Sequence, residues 1–298
     1  MKLVSIEQMR DLEQRADAAG HSYAEMMEAA GFMVSGFAGA LLAAGETRHA
    51  LVLVGPGNNG GDGLVAAHYL REVDCDITLY LWRRDITGDP NFARLKRRRR
   101  GVTILWADND QDFAKLRDEV RRTALVIDAL LGTGAARPIE GRLQRLMQVV
   151  AEEVAVRRRP QLQPPQAPGL RPPQFPLMQP LISPLDEPPA SFDDEYDDDD
   201  DLDLDRLPMH GDRPPTAARW DPDILPPGLP VLAVDCPSGL NCDTGEIDPA
   251  AIPASTTVTF AYPKWGQVQY PGAGACGLLA VVDIGIAEEL AQRLPVEL

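Results

Sequence analysis

The chain has few cysteines, no signal-peptide pattern in its opening residues and no unbroken apolar run long enough to cross a bilayer. Its four cysteines, Cys75, Cys236, Cys242 and Cys276, form no CxxC pair and no metal-ligand spacing. Small buried thiols in a reducing compartment are therefore expected. The longest apolar stretches stay below the roughly 18 residues that a spanning helix needs, so no membrane association is expected. The opening residues Met1–Ser5 lack a signal-peptide hydrophobic region, which predicts a cytoplasmic protein. A broad basic surface is missing too. Lysine and arginine number 29 against 45 acidic residues, for a net charge of −16. Twelve of those acids lie between Asp186 and Asp205, and without them the net charge falls from −16 to −4. The basic cluster Lys96–Arg100 reads as a solvated helix end, and no nucleic-acid partner is expected.

What the chain does contain is an apolar core in a regular order. At 298 residues and 44% apolar composition it can hold one large α/β domain or two small ones. Ser5 to Gln8 and Ser22 to Glu25 read as capping boxes, each opening a helix. Ile6, Met9, Leu12 and Ala16 form one apolar stripe; Met26, Ala30 and Met33 form another. Strand-like runs follow at 51–54, 76–81, 102–106, 124–130, 231–234, 257–261 and 278–282, with helical stretches at 63–72, 91–99, 111–121 and 140–154. Short apolar strands alternating with helices predict an α/β fold whose parallel sheet is covered on both faces.

Residues 157–230 break this rhythm. They hold 18 of the 27 prolines and the acidic run Asp193–Asp205. Proline blocks helix and ladder hydrogen bonds and like charges repel, so a disordered insertion between a helix and a strand is expected. The domain then comprises 1–156 and 231–298. The spacing Asp201–Asp205 resembles the start of a calcium loop. Arg206 stands where such a loop needs its glycine, however, and no calcium site is predicted.

The most informative segment joins the strand 51–54 to a helix through five glycines within nine residues: Gly55, Gly57, Gly60, Gly61 and Gly63. Such a turn lets backbone approach a ligand and aims a helix N-terminus at an anion. Gly55, Gly57 and Gly60 keep the spacing of the dinucleotide fingerprint, while Asn58, Asn59 and Asp62 add polar groups that a pyrophosphate alone would not require. Two further loops repeat this composition, Asp128–Pro138 and Asp235–Gly245, each closing a strand with an acid and continuing into glycine. In a parallel sheet all three emerge on one edge and can line a single crevice.

The segments GPGNNGGDGLVAA, DALLGTGAARPIEG, VDCPSGLNCDTG and TVTFAYPKWG resemble the conserved blocks of the NAD(P)H-hydrate epimerase family, also called the YjeF N-terminal domain family. EQMRDLEQRA, MMEAAG and VVDIGI extend the resemblance to nearly the whole chain outside the insertion. It implies a Rossmann-like three-layer α/β/α sandwich, with a mostly parallel central sheet and two N-terminal helices, that forms a homodimer. The substrates implied are NADHX and NADPHX, the hydrated forms of NADH and NADPH. Interconverting their R and S forms lets a separate ADP- or ATP-dependent dehydratase complete cofactor repair. Because the chain ends soon after VVDIGI, that dehydratase is expected on another polypeptide. By motif match, Asn58, Asn59, Gly60, Gly61 and Asp62 would contact substrate. So would Gly132, Thr133, Gly134, Ala135, Ala136, Arg137, Pro138 and Asp235. A potassium ion would sit among Asn59, Asp128 and Ser238, oxygen ligands that suit a hard alkali cation.

Cys236 stands where the family usually places isoleucine or valine, and is expected to pack as a small apolar side chain. Asp235 is the expected general acid and base: it protonates the departing C6 hydroxyl and accepts a proton from the entering water. Lys264 is a weaker candidate, able to pair with a phosphate or with Asp128, or to lie on the surface. A nicotinamide dehydrogenase would want an acid about 20 residues past the glycines, where this chain reads Leu81-Trp-Arg-Arg84. A P-loop phosphotransferase would want Lys-Ser/Thr where Gly61-Asp62 stands. The alternative from another class is a catalytically idle dimeric scaffold or an NAD-binding protein.

Overall fold

The computed structural model describes residues 2–43, 47–97, 101–134, 138–158 and 228–292. Two helices open the chain, α1 (Ile6–Ala18) and α2 (Tyr23–Ala43). Ser5 caps α1 in a reciprocal box with Gln8, as its sequence predicts. The alternating part follows: β1 (His49–Val54), α3 (Asn58–Glu72), β2 (Asp76–Leu81), α4 (Pro90–Arg97), β3 (Val102–Trp106), α5 (Ala114–Arg122), β4 (Leu125–Ala129) and α6 (Gly141–Arg158). After the gap come β5 (Val231–Val234), β6 (Thr256–Phe260), the short helices α7 (Trp265–Val268) and α8 (Gly272–Cys276), and β7 (Leu278–Val282).

Among the described residues the strands form one seven-stranded sheet in the order β3-β2-β1-β4-β5-β6-β7, parallel throughout. The chain winds outward from β1 to β3, returns to lay β4 beside β1, and winds the other way to β7. The strand order therefore reverses between β1 and β4, and a crevice opens beyond their carboxyl ends. Central strands are buried on both faces. Val52 and Val54 pack with α1 to α4, while Leu51 and Leu53 pack with α5 and α6. That two-sided burial explains why these strands read as unbroken apolar runs rather than alternating ones.

Two expectations shift here. α3 begins at Asn58, five residues before the helical stretch expected from Gly63, because the glycine turn itself is wound into the first turns of the helix. α2 is a 21-residue helix long and apolar enough, by length and composition, to cross a membrane. In the fold its stripe of Met26, Ala30, Val34, Ala38, Leu41 and Leu42 is buried in the core on the α3 face of the sheet.

Most of the expected insertion lies outside the described residues, but its two ends do not. α6 continues through Arg158, whose Nε donates to the Leu229 carbonyl at 3.2 Å and whose Nη2 donates to Ser255 Oγ at 2.7 Å. The chain thus leaves and re-enters the sheet at one point. Replacing residues 160–227 with a linker of about six Gly/Ser residues should keep the fold. The shorter loop should stabilise it by about 2 kcal/mol, since each halving of loop length returns about 0.6 kcal/mol of closure entropy. Urea unfolding of both forms measures this; a loss of stability would show that the segment contributes contacts.

Candidate functional site

Three loops leave the carboxyl ends of β1, β4 and β5 and are tied together by side-chain hydrogen bonds. Leu53, Asp128 and Ala233 occupy one row across the sheet, so Asp128 sits between the two outer loops. Its carboxylate is fully buried. The Ser238 backbone N–H donates to Asp128 Oδ2 at 2.8 Å, and the Ser238 hydroxyl donates to Oδ1 at 2.6 Å. Ser238 Oγ in turn accepts from the Leu131 N–H at 3.0 Å, and Asn59 Nδ2 donates to the Leu131 carbonyl at 3.0 Å. Asn59 Oδ1 is buried with no partner among the described residues.

The turn after β1 has no room for side chains. A Cβ on Gly55 would overlap the Leu130 carbonyl, and one on Gly60 would overlap the Gly55 carbonyl. This close approach holds α3 against the β4 loop and points its first N–H groups into the crevice. Arg84, just past β2, closes the turn from above. Its Nη1 donates to the Gly55 and Gly57 carbonyls at 3.0 and 2.9 Å, and its Nε donates to Asp89 at 2.9 Å. Arg84 is a site residue that sequence reasoning missed, because nothing in the sequence separates it from neighbouring Arg83.

Asp235 ends β5 in the left-handed region at φ +58°, a conformation that L side chains other than Asn and Asp seldom take. Its Oδ1 accepts from Thr259 Oγ1 at 3.0 Å, the Phe260 N–H at 3.3 Å and Lys264 Nζ at 2.6 Å. Gln267 Nε2 donates to the Asp235 carbonyl at 2.6 Å. Oδ2 is left without a hydrogen bond among the described residues. Lys264 is 1% exposed, so it is neither a surface lysine nor a partner of Asp128. Its burial depends on a bridge between Val4 and Lys264, contacts too distant in sequence to be foreseen.

Two more carboxyl groups face this pair. Asp62, in the second turn of α3, is 8% exposed and makes no hydrogen bond or ion pair among the described residues. Burial, then the charges of Asp235 and Glu13, push its carboxyl well above the usual range, with Arg84 and Lys264 acting in opposition. Glu13 of α1 is raised by burial and then by Asp235. Its position beside the apolar stripe of α1 is the one sequence signal it carries.

The remaining expected contact residues spread around the mouth. Asn58 is exposed, Gly61 lies against Met27 and Arg84, and Gly132 lies against Asn59. Thr133 is half-buried, Gly134 faces Arg10, and Pro138 is exposed. Ala135, Ala136 and Arg137 lie outside the described residues. Cys236 packs as expected, buried in a small apolar cluster with Leu240, Cys242 and Cys276, but the expectation of four free thiols fails: the structure pairs Cys236 with Cys242 as a disulfide, leaving Cys75 and Cys276 as buried thiols. The six-residue separation on a loop that folds back on itself brings the two side chains together, and no CxxC spacing announces this.

A doubly wound sheet with a glycine turn and acid-tipped strands meeting at its switch point defines an α/β protein with a small-molecule cleft beyond its strand ends. The family profile described as YjeF-related protein N-terminus matches residues 23–160 and 217–266, and the chain belongs to that family. A bifunctional NAD(P)H-hydrate repair enzyme of Thermofilum pendens is 27% identical over all of this chain and 43% of its own length. An NAD(P)H-hydrate epimerase of Rhodobacter capsulatus is 37% identical over 147 residues, 47% of this chain and 66% of the relative. The chain therefore spans 43% and 66% of the lengths of these two relatives. The crystal structure of yeast ynu0 shares the fold, with a TM-score of 0.62 at 18% identity over 100% of this chain and 95% of that one.

Asp128 has no cationic side chain within ion-pair distance among the described residues, and burial pushes its carboxyl up to about 6 against the hydrogen bonds from Ser238 and Leu130. Because the folded carboxyl holds its proton more tightly than the unfolded one, stability should fall as pH rises from about 4 to about 6. A rise of that size corresponds to roughly 3 kcal/mol lost by pH 7. Asp128→Asn should flatten that slope. Chemical unfolding of both proteins from pH 4 to pH 7 in tetramethylammonium buffer measures it, and parallel slopes would refute the assignment.

Proposed function

We propose that the cleft takes NADHX and NADPHX and interconverts their R and S forms at C6; several relatives carry the name NAD(P)H-hydrate epimerase. The observation that supports this most is Asp235: a carboxylate in a strained conformation, fastened through one oxygen, with the other left unbonded among the described residues. Holding such a residue costs about 1 kcal/mol, a strain that folds retain where a group must be aimed.

In this reading the segment Asn58, Asn59, Gly60, Gly61 and Asp62 meets the dinucleotide, with Gly132 to Pro138 across from it. Asp235 Oδ2 faces the hydroxyl-bearing carbon. The ring nitrogen lone pair helps expel the C6 hydroxyl as water, and water returns from the other face. Lys264 and Thr259 orient the carboxylate and do not themselves need to touch substrate. The S form passes to a dehydratase acting in sequence, and the active species is a homodimer.

A potassium ion fits the cluster at the β4 end. Asn59 Oδ1 is a buried oxygen without a donor, Asp128 is a buried carboxylate without a cation, and Ser238 supplies a hydroxyl. The donors are an amide oxygen, a carboxylate and a hydroxyl, an all-oxygen set that suits a hard alkali cation rather than a transition metal. Bound there, the ion would supply positive charge next to Asp128 and hold the Asn59 and Ser238 loops together.

Two measurements test these readings. With mixed R and S NADPHX and a dehydratase, the chain should allow complete cofactor recovery. Asp235→Asn should slow conversion of the R form by about 100-fold or more while remaining folded. A folded wild-type chain that leaves R at its spontaneous rate would favour the idle scaffold instead. Potassium chloride should raise the melting temperature by several degrees over tetramethylammonium chloride, and Asn59→Ala should abolish the rise. An equal melting temperature in the two salts would remove the ion from the site.

A further inference from the structure

Six charged side chains are buried among the described residues: Asp62, Asp110, Glu119, Asp128, Glu153 and Lys264. Five are bonded. Asp110 accepts from Tyr80 and two backbone N–H groups. Glu119 accepts from Thr78 and Arg122, Glu153 from Arg117 and Arg121, Asp128 from Ser238, and Lys264 binds Asp235. Asp62 alone has no partner among the described residues. Its residue is 8% exposed and its oxygens are not among the fully buried atoms left without a partner, so the unbonded carboxyl opens on the crevice, where it can meet a ligand or move a proton.

Its place in the fold narrows that role. Asp62 precedes Gly63, which rests on Ala129 of β4 and Val52 of β1, so it stands above the first side of the switch point. Asp235 ends β5, on the second side. Both acids face one crevice, since the charges of Asp235 and of its partner Lys264 act on the Asp62 carboxyl.

Resting on the epimerase reading above, we propose that Asp62 and Asp235 form a two-sided acid–base pair, each serving one face of the hydrated ring. An epimerisation that passes through a planar iminium expels oxygen from one face and admits it at the other, and one fixed carboxyl reaches only one of these. In one direction Asp62 gives its proton to the C6 hydroxyl. The C–O bond breaks with its electron pair, water departs, and the ring nitrogen lone pair forms the C=N bond. A second water then adds from the face of Asp235, which takes its proton. One water leaves, one enters, and one proton has passed from Asp62 to Asp235. The reverse direction starts from that second protonation state, and exchange with solvent restores the first. Burial, then the charges of Asp235 and Glu13, raise the Asp62 carboxyl well above its ordinary value, a shift toward the protonated form that an acid needs at the start of the cycle.

Asp62→Asn keeps the volume and the neutral amide and removes the proton. It should lower kcat at least 100-fold in both directions, leave KM for NADPHX within about threefold, and leave the melting temperature unchanged or higher. A purely structural role would instead shift KM and stability together. The groups that face Asp62 are Asp235, Glu13, Arg84 and Lys264, and none is altered by this change. Should the variant not accumulate, the wild-type pH profile decides: kcat should fall on the alkaline side as the acid of the pair loses its proton, whereas a rate level across the whole range in which the protein stays folded would overturn the proposal. Asp62→Asn with kcat within threefold of an active wild type would end the two-sided pair and leave the epimerase reading standing. An inactive wild type would end both.

Discussion

Ser238 is the residue on which the cleft depends. Through its N–H and hydroxyl it holds both oxygens of Asp128, and through the same hydroxyl it receives Leu131. Asn59 then fastens α3 to Leu131. Three loops from three strands become one rim by bonds between buried and half-buried groups, where each bond is stronger than in water and each missing partner costs more. The parallel sheet supplies only the common edge; these bonds convert it into a shaped wall.

The division of charge across this wall follows from burial. On the β4 side a carboxylate is held by neutral donors alone. On the β6 side Asp235 meets an ammonium, a hydroxyl and a backbone N–H, all on a single oxygen. Between them the glycine turn contributes backbone N–H groups rather than side chains, and Arg84 occupies the carbonyls on its far side. A ligand entering the cleft therefore meets donors from the helix and acceptors from the strands.

Strands were legible because burial on both faces leaves an apolar run with polar loops at each end, and every run from 51–54 to 278–282 lies within a residue or two of its strand. The start of α3 was not legible, since five glycines and two asparagines argue for a turn. Only the tight seating of Gly60 and Gly63 against neighbouring backbone and side chains makes them helical. The residues that bracket Asp235 were harder still. Thr259 looks like any strand threonine, and Lys264 looks like a loop lysine until Val4 pairs beside it. Glu13 and Arg84 owe their positions to packing between elements, which no local pattern encodes. The Cys236–Cys242 pairing belongs to the same class, because it depends on the path of a loop.

Val4 donates to the Pro263 carbonyl and accepts from the Trp265 N–H, so the first strand-like residues of the chain are clamped around Lys264. Closing that contact joins segments some 260 positions apart, and loop closure on such a scale comes late in folding. During synthesis the ribosome must deliver Lys264 before Asp235 gains its counter-ion. Until that lysine emerges, a nascent chain lacks the cation that closes this side of the cleft.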